Sequence, residues 1–136
     1  MTMKGGCLCG AVRITISTPL EYAEYCHCRS CRRATGAPVM AWACVRRDGV
    51  EVEGEALRQF DSNATVQRGF CDRCGTSLTF WDRDFAEHLY VAAAALEDAE
   101  SCAPEFHIWR SDRLSWIDAI DTLPRYLRFK RDGLVE

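Results

Sequence analysis

No stretch of the chain approaches the roughly 18–20 consecutive apolar residues that cross a bilayer. The opening MTMKGGCLCGAV holds one lysine and no apolar run of signal-peptide length. A membrane partner and a secretory leader are therefore not expected, and the protein is expected to remain in the cytoplasm. Lysine is almost missing: Lys4 and Lys130 are the only two, so arginine carries the basic side of the chain. Seventeen basic against twenty acidic side chains give a net charge of −3, which as a whole repels a phosphate backbone and argues against nucleic acid as a partner. Repeats, linkers and low-complexity tracts are also absent. With 136 residues, 48% of them hydrophobic, one domain over 1–136 is expected, with enough apolar material for a moderate core.

Helical signal is scarce as well. Val12, Ile14 and Ile16 alternate with Arg13, Thr15 and Ser17, the period-two pattern of a half-buried strand that Pro19 ends. The apolar run 39–45 and the run 50–53 flank Arg46-Arg47-Asp48-Gly49, and Asp-Gly between two strand-like runs predicts a β-hairpin. Further strands are expected over 57–60, 65–70, 77–81, 89–94 and 106–109. The alanines from Ala92 to Ala95 have helical propensity, but the preceding Leu89-Tyr90-Val91 favours a strand. Only 29–34, stopped by Thr35-Gly36, reads as a short helix. The expected class is all-β, a sandwich or barrel-like arrangement of short strands.

What the chain has in excess is cysteine. There are nine, and seven fall in three groups: Cys7 and Cys9; Cys26, Cys28 and Cys31; Cys71 and Cys74. In a reducing compartment an odd, clustered set argues for metal ligands over disulfides. Thiolates two or three positions apart reach one ion at about 2.3 Å, and the glycines after Cys9 and Cys74 let the backbone curl around the sulfurs. A redox dithiol would instead open a helix after a parallel strand. Seven ligands divide into four and three, the counts of a closed structural zinc and an open catalytic one. The central three form a tripod on their own, leaving Cys7, Cys9, Cys71 and Cys74 for the closed site. Spacing leaves open that Cys44, His27 or His107 adds a fourth ligand to the tripod.

Taken in order, Cys-x-Cys-Gly at Cys7, Cys-His-Cys-x-x-Cys at Cys26 and Phe-Cys-x-x-Cys-Gly at Phe70 resemble the glutathione-dependent formaldehyde-activating enzyme family, which also contains centromere protein V. Gly5-Gly6, Pro104, His107, Ile108, Trp116, Leu123 and Pro124 extend the likeness over nearly the whole chain. The resemblance implies a β-tent fold of small antiparallel sheets around two zinc ions. It implies that Cys7, Cys9, Cys71 and Cys74 hold a structural zinc and Cys26, Cys28 and Cys31 a catalytic one. The activity it implies is a carbon–sulfur lyase acting on S-hydroxymethylglutathione, formed from glutathione and formaldehyde. The competing reading is a non-enzymatic zinc scaffold that binds a partner.

Other residues carry weaker signals. Cys44 and Cys102 read as small buried hydrophobes. His27, between two ligands, is expected to point away from the metal, to backbone or to substrate. His88 reads as a surface residue and His107 as a structural histidine. The four tryptophans read as core anchors, and Asp82 and Asp84 show no mark of an acid–base pair. Arg29, Arg32 and Arg33 gain interest from the adjacent tripod, because guanidinium groups pair with the carboxylates of a peptide thiol. Arg29 shares a helix face with Arg32 or Arg33, whereas Arg32 and Arg33 diverge. Arg29 and Arg32 are therefore the candidate substrate contacts. Oligomeric state leaves no mark on the sequence.

Overall fold

The computed structural model describes residues 2–135. Among these described residues ten strands make two sheets. The smaller contains β1 (Met3–Gly6), β2 (Arg13–Ile16) and β5 (Val50–Glu53), antiparallel in the order β1-β2-β5. The larger contains β3 (Tyr22–Cys26), β4 (Met40–Arg46), β6 (Leu57–Asp61), β7 (Val66–Cys71), β8 (Ser77–Asp82), β9 (His88–Ala92) and β10 (Phe106–Ile108), ordered β10-β3-β4-β9-β8-β7-β6. It is antiparallel except that the short edge strand β10 runs parallel to β3. The mainly β class stands, as does the tent of small sheets.

Alternation in β2 does what the sequence predicts: Ile14 and Ile16 are buried and Arg13 is exposed. The two isoleucines and Val12 pack against Ala43, Val45 and Val91 of the large sheet, closing the main core. Each isoleucine removed from water contributes about 1.5–3 kcal/mol.

The predicted hairpin does not form. β4 is a central strand, paired with β3 and β9, and has no open edge for β5, which pairs with β2 in the other sheet. Arg47–Gly49 is a single 3-10 turn that carries the chain from one sheet to the other. Gly49 lacks the positive φ of a tight hairpin turn and is needed instead for a close approach to Thr18. The alanine run also divides: the strand stops at Ala92 and Ala93–Ala95 forms a 3-10 turn. Strands β1 and β3 have no counterpart in the sequence prediction. The single α-helix among the described residues, α1 (Arg29–Thr35), ends at Gly36, whose φ of 74° and N–H bond to the Arg32 carbonyl close it.

Register fixes which side chains share the outer face of the large sheet. Glu24 lies opposite Trp42, Cys26 opposite Met40 and also Ile108, Trp42 opposite Ala92, Phe80 opposite Tyr90, and Arg68 opposite Phe80. Because successive residues of a strand point to opposite faces and alternate ones share a face, Glu24, Cys26, Trp42, Tyr90, Phe80 and Arg68 stand on one side, away from the core shared with the small sheet. Beyond β10 the chain runs through 3-10 turns at Arg110–Asp112, Ser115–Thr122 and Lys130–Asp132, with Leu123, Leu127 and Phe129 exposed.

Candidate metal centres and the adjoining cleft

Two turns bring the outer cysteines together. In the first, Gly10 (φ 83°) donates its N–H to the Cys7 carbonyl; in the second, Gly75 (φ 79°) donates to the Cys71 carbonyl. Both turns need the left-handed backbone that glycine adopts freely. The Leu8 N–H bonds Thr76 Oγ1 at 3.1 Å and fastens one knuckle to the other. Cys7, Cys9, Cys71 and Cys74 then place all four sulfurs within 4.8 Å of one another. The Cys7–Cys9 and Cys9–Cys71 sulfur separations are 3.6 and 3.8 Å. Ligands at about 2.3 Å around a tetrahedral ion stand about 3.8 Å apart, so this quartet fits zinc. Val12 N–H reaches Cys7 Sγ at 3.2 Å. Thr76, by bonding Cys74, holds that thiol at about 5, well below its ordinary value.

Cys26, Cys28 and Cys31 form the second group, their sulfurs likewise within 4.8 Å. β3 ends at Cys26, and α1 begins over Cys28, whose sulfur accepts the Cys31 N–H at 3.3 Å and caps the helix. No fourth ligand joins them among the described residues. His27 points away, Nε2 lying 2.8 Å from His107 Nδ1, and its burial holds it below the ordinary histidine range. Cys44 is buried beside Tyr22 and Tyr90, and Cys102 lies against Met3.

One residue of this site carries no mark in the sequence. Arg68, in the middle of β7 and 7% exposed, points both terminal nitrogens at Cys31 Sγ, each at 3.6 Å. Its Nε donates to Ser62 Oγ at 3.1 Å, and the guanidinium lies 5.0 Å from the centre of the Phe80 ring. Among the described residues it makes no ion pair with a carboxylate, so its counter-charge is the cysteine cluster. Bonds from the Cys26 and Cys28 thiols, then the charge of Arg68, drive Cys31 strongly toward thiolate, while the same mutual bonding raises Cys26. No motif contains Arg68. The only available signal was a charged residue in a run that otherwise reads as strand.

The arginines of α1 divide. Arg32 donates from Nε to the His27 carbonyl and from Nη2 to the Asp112 carbonyl, both at 3.2 Å, so it fastens the helix to the C-terminal segment. Arg29 is exposed, and its side chain makes no hydrogen bond or ion pair with another described residue. Arg33 borders a groove between α1 and β6–β7 that also contains Phe60 and Phe70. Asp82 accepts the Asp84 N–H at 3.0 Å as a turn cap. His88 stacks on Phe85 at 4.2 Å and is only partly exposed.

Beside the three-cysteine group, Trp42, Phe80, Tyr90 and Ile108 pack around Cys26 and Cys31. The same four line a cleft of about 290 Å³, completed by Phe85, Trp109, Glu24 and Asp82. Glu24 is 4% exposed, its carboxyl makes no hydrogen bond or ion pair among the described residues, and burial raises it to about 7.

This is a mainly β protein with two thiolate clusters, one of four sulfurs and one of three, each placed to hold a metal ion. A family model described as glutathione-dependent formaldehyde-activating enzyme matches residues 2–112, and the chain belongs to that family. An uncharacterised lyase of Schizosaccharomyces pombe is 34% identical over 57% of this chain and 56% of its own length. A Halomonas elongata protein, provisionally named a glutathione-dependent formaldehyde-activating enzyme, is 27% identical over 87% of this chain and 81% of its own. The chain thus spans little more than half of the first relative. A Rhodobacter sphaeroides protein of known crystal structure superposes with a TM-score of 0.61 at 30% identity, covering 76% of this chain and 99% of that one.

Proposed function

We propose that the chain, as one domain over 1–136, is a zinc-dependent carbon–sulfur lyase acting on a thiol adduct of the S-hydroxymethylglutathione kind. The observation that carries this reading is the three-cysteine group without a fourth ligand among the described residues, packed against side chains that also line a cleft, in a member of this family. In this reading Cys7, Cys9, Cys71 and Cys74 hold a structural zinc, and Cys26, Cys28 and Cys31 hold the catalytic one. Bound there, the second zinc supplies a site where a substrate thiol loses its proton near neutral pH.

The chemistry balances without a redox partner. In the adduct-forming direction the thiol sulfur bonds to the aldehyde carbon, the carbonyl electron pair moves to oxygen, and oxygen gains a proton. The lyase direction reverses each change. Three anionic sulfurs would make the site electron-rich, and Arg68 offsets one of those charges at Cys31. In this reading Arg29, exposed at the start of α1, pairs with a substrate carboxylate, and Arg32 helps chiefly by holding α1 in place. The metal-ligating thiols need a reducing compartment, which favours the cytoplasm.

Cobalt substitution tests the reading. Saturating glutathione is expected to change the sulfur-to-cobalt absorption, and zinc-loaded protein to accelerate exchange between glutathione plus formaldehyde and the adduct, followed by NMR. A cobalt spectrum indifferent to glutathione would favour the scaffold reading.

A further inference from the structure

We propose that the C-terminal arm, residues 123–135, docks on the acidic body of a second copy of this chain, so that two copies exchange arms across a twofold axis.

The apolar side chains of the arm face outward. Leu123, Leu127, Phe129, Leu134 and Val135 are each more than half exposed, and Trp116, just before the arm, extends the surface. A fully exposed aromatic side chain offers about 150–250 Å², so these six together present on the order of 600 Å² of apolar surface. Two arms laid on two bodies cover on the order of 2,000 Å² in all, the size of a stable homodimer interface.

The arm has a defined shape of its own. Tyr126 and Val135 form an antiparallel bridge, and the Leu127 N–H bonds the Leu134 carbonyl at 3.1 Å. Gly133, at φ 68°, closes the turn between them by bonding the Lys130 carbonyl. The Asp132 carboxylate accepts the Phe129 N–H at 3.3 Å, and Arg131 lies 4.3 Å from the centre of the Phe129 ring. A two-stranded hairpin is marginal in water by itself, and a covering surface supplies the burial it lacks.

Charge decides what that surface is. The arm holds Arg125, Arg128, Lys130 and Arg131 against Asp132, whereas residues 1–122 hold thirteen basic and eighteen acidic side chains. A body of that balance attracts a basic arm and is repelled by an anionic lipid surface. Two arms packed on each other would set four cations against four, so the arm meets the partner's body and not the partner's arm. The groove beside α1 is lined by Arg33 and Arg68 and repels it. A hollow of about 570 Å³ on the opposite terminus of the chain suits it: Met3 and Leu20 supply apolar surface, and Glu97 and Asp98 outweigh Lys4. Glu97 and Asp98 are exposed, and neither makes an ion pair among the described residues.

Sedimentation equilibrium of the full chain tests the proposal, with a mass of twice 15.4 kDa expected at concentrations of about 10 µM and above. Leu127→Asp combined with Phe129→Asp, both at exposed positions, should raise the dissociation constant about a hundredfold or more, with Tm and metal content unchanged. Glu97→Lys combined with Asp98→Lys should raise it about tenfold or more. Because Lys4 and Lys130 are the only lysines, carbodiimide coupling in a mixture of unlabelled and isotope-labelled chains reads the contact directly. Lys130 is expected to join a carboxylate of residues 1–122 in isotopically mixed pairs. A monomer at about 100 µM, a dimer indifferent to the Leu127 and Phe129 changes, or coupling of Lys130 only within its own chain would each overturn the proposal. So would a monomer captured through its arm by vesicles of phosphatidylcholine and phosphatidylserine, which would make lipid the partner.

Discussion

Arg68 sets the terms at the scale of single residues. A hydrogen bond to a charged acceptor contributes about 1.5–3 kcal/mol, and Arg68 directs two nitrogens at one sulfur from a buried position. Arg68→Met should therefore leave the three-cysteine site assembled but overcharged. Metal loss from it to a chelator should accelerate by about tenfold or more, with glutathione affinity falling in parallel; Arg68→Lys should recover part of both. Unchanged release kinetics would reduce Arg68 to a packing residue. Tyr22 and Tyr90 offer a second check. Their hydroxyls lie 2.7 Å apart, burial pushes Tyr22 up to about 12, and burial together with that hydrogen bond raises Tyr90. The folded protein thus keeps phenol protons that the unfolded chain releases near pH 10. Unfolding then releases protons, and stability falls as pH rises from about 10 to 12, with no contribution below that window. Urea midpoints should decline through it, and Tyr22→Phe should flatten the decline. The two cysteine clusters were legible because cysteines close in sequence repeat a spacing that metal coordination demands. Arg68 and Glu24 were not, because a lone charge in a strand acquires meaning only from the register that sets it opposite Phe80 or Trp42.

At the scale of elements, legibility follows locality. β2 and α1 were readable because alternation and a glycine stop are properties of a few neighbouring residues. The β4–β5 hairpin expectation fails because the same Asp-Gly signal serves a chain changing sheets, and the choice is made by β3 and β9 occupying both edges of β4. β1 escaped notice because Gly5 and Gly6 lack strand propensity; they are required by contact with the backbone of Ala95 and Val12. Two substitutions test these elements. Gly36→Ala, in a left-handed cap open to solvent, should cost about 1 kcal/mol, read as a small fall in Tm with metal content unchanged. Ile14→Ala, at the junction of the sheets, should cost about 2–5 kcal/mol. A smaller loss at Ile14 than at Gly36 would contradict the placement of the core.

For the whole molecule the two clusters should fail differently, because a closed site contributes folding free energy and an open one chiefly chemistry. Protein purified under reducing conditions is expected to carry two zinc ions per chain by elemental analysis. Cys71→Ser should lower the melting temperature severely, whereas Cys28→Ser should fold with one ion fewer. Equal melts for the two variants would sink the assignment. The four-cysteine site has one more consequence. Cys9 and Cys71 are 62 residues apart, so an ion held there ties a long loop without a covalent bond. By analogy with other cross-links this restricts the unfolded chain by about 4 kcal/mol. The exposed turn at Asn63-Ala64 lies inside that loop. A protease nick at this turn should yield halves that co-migrate in gel filtration even under strong thiol reductant, and that part once a chelator is added: a clasp blind to redox and sensitive to metal supply.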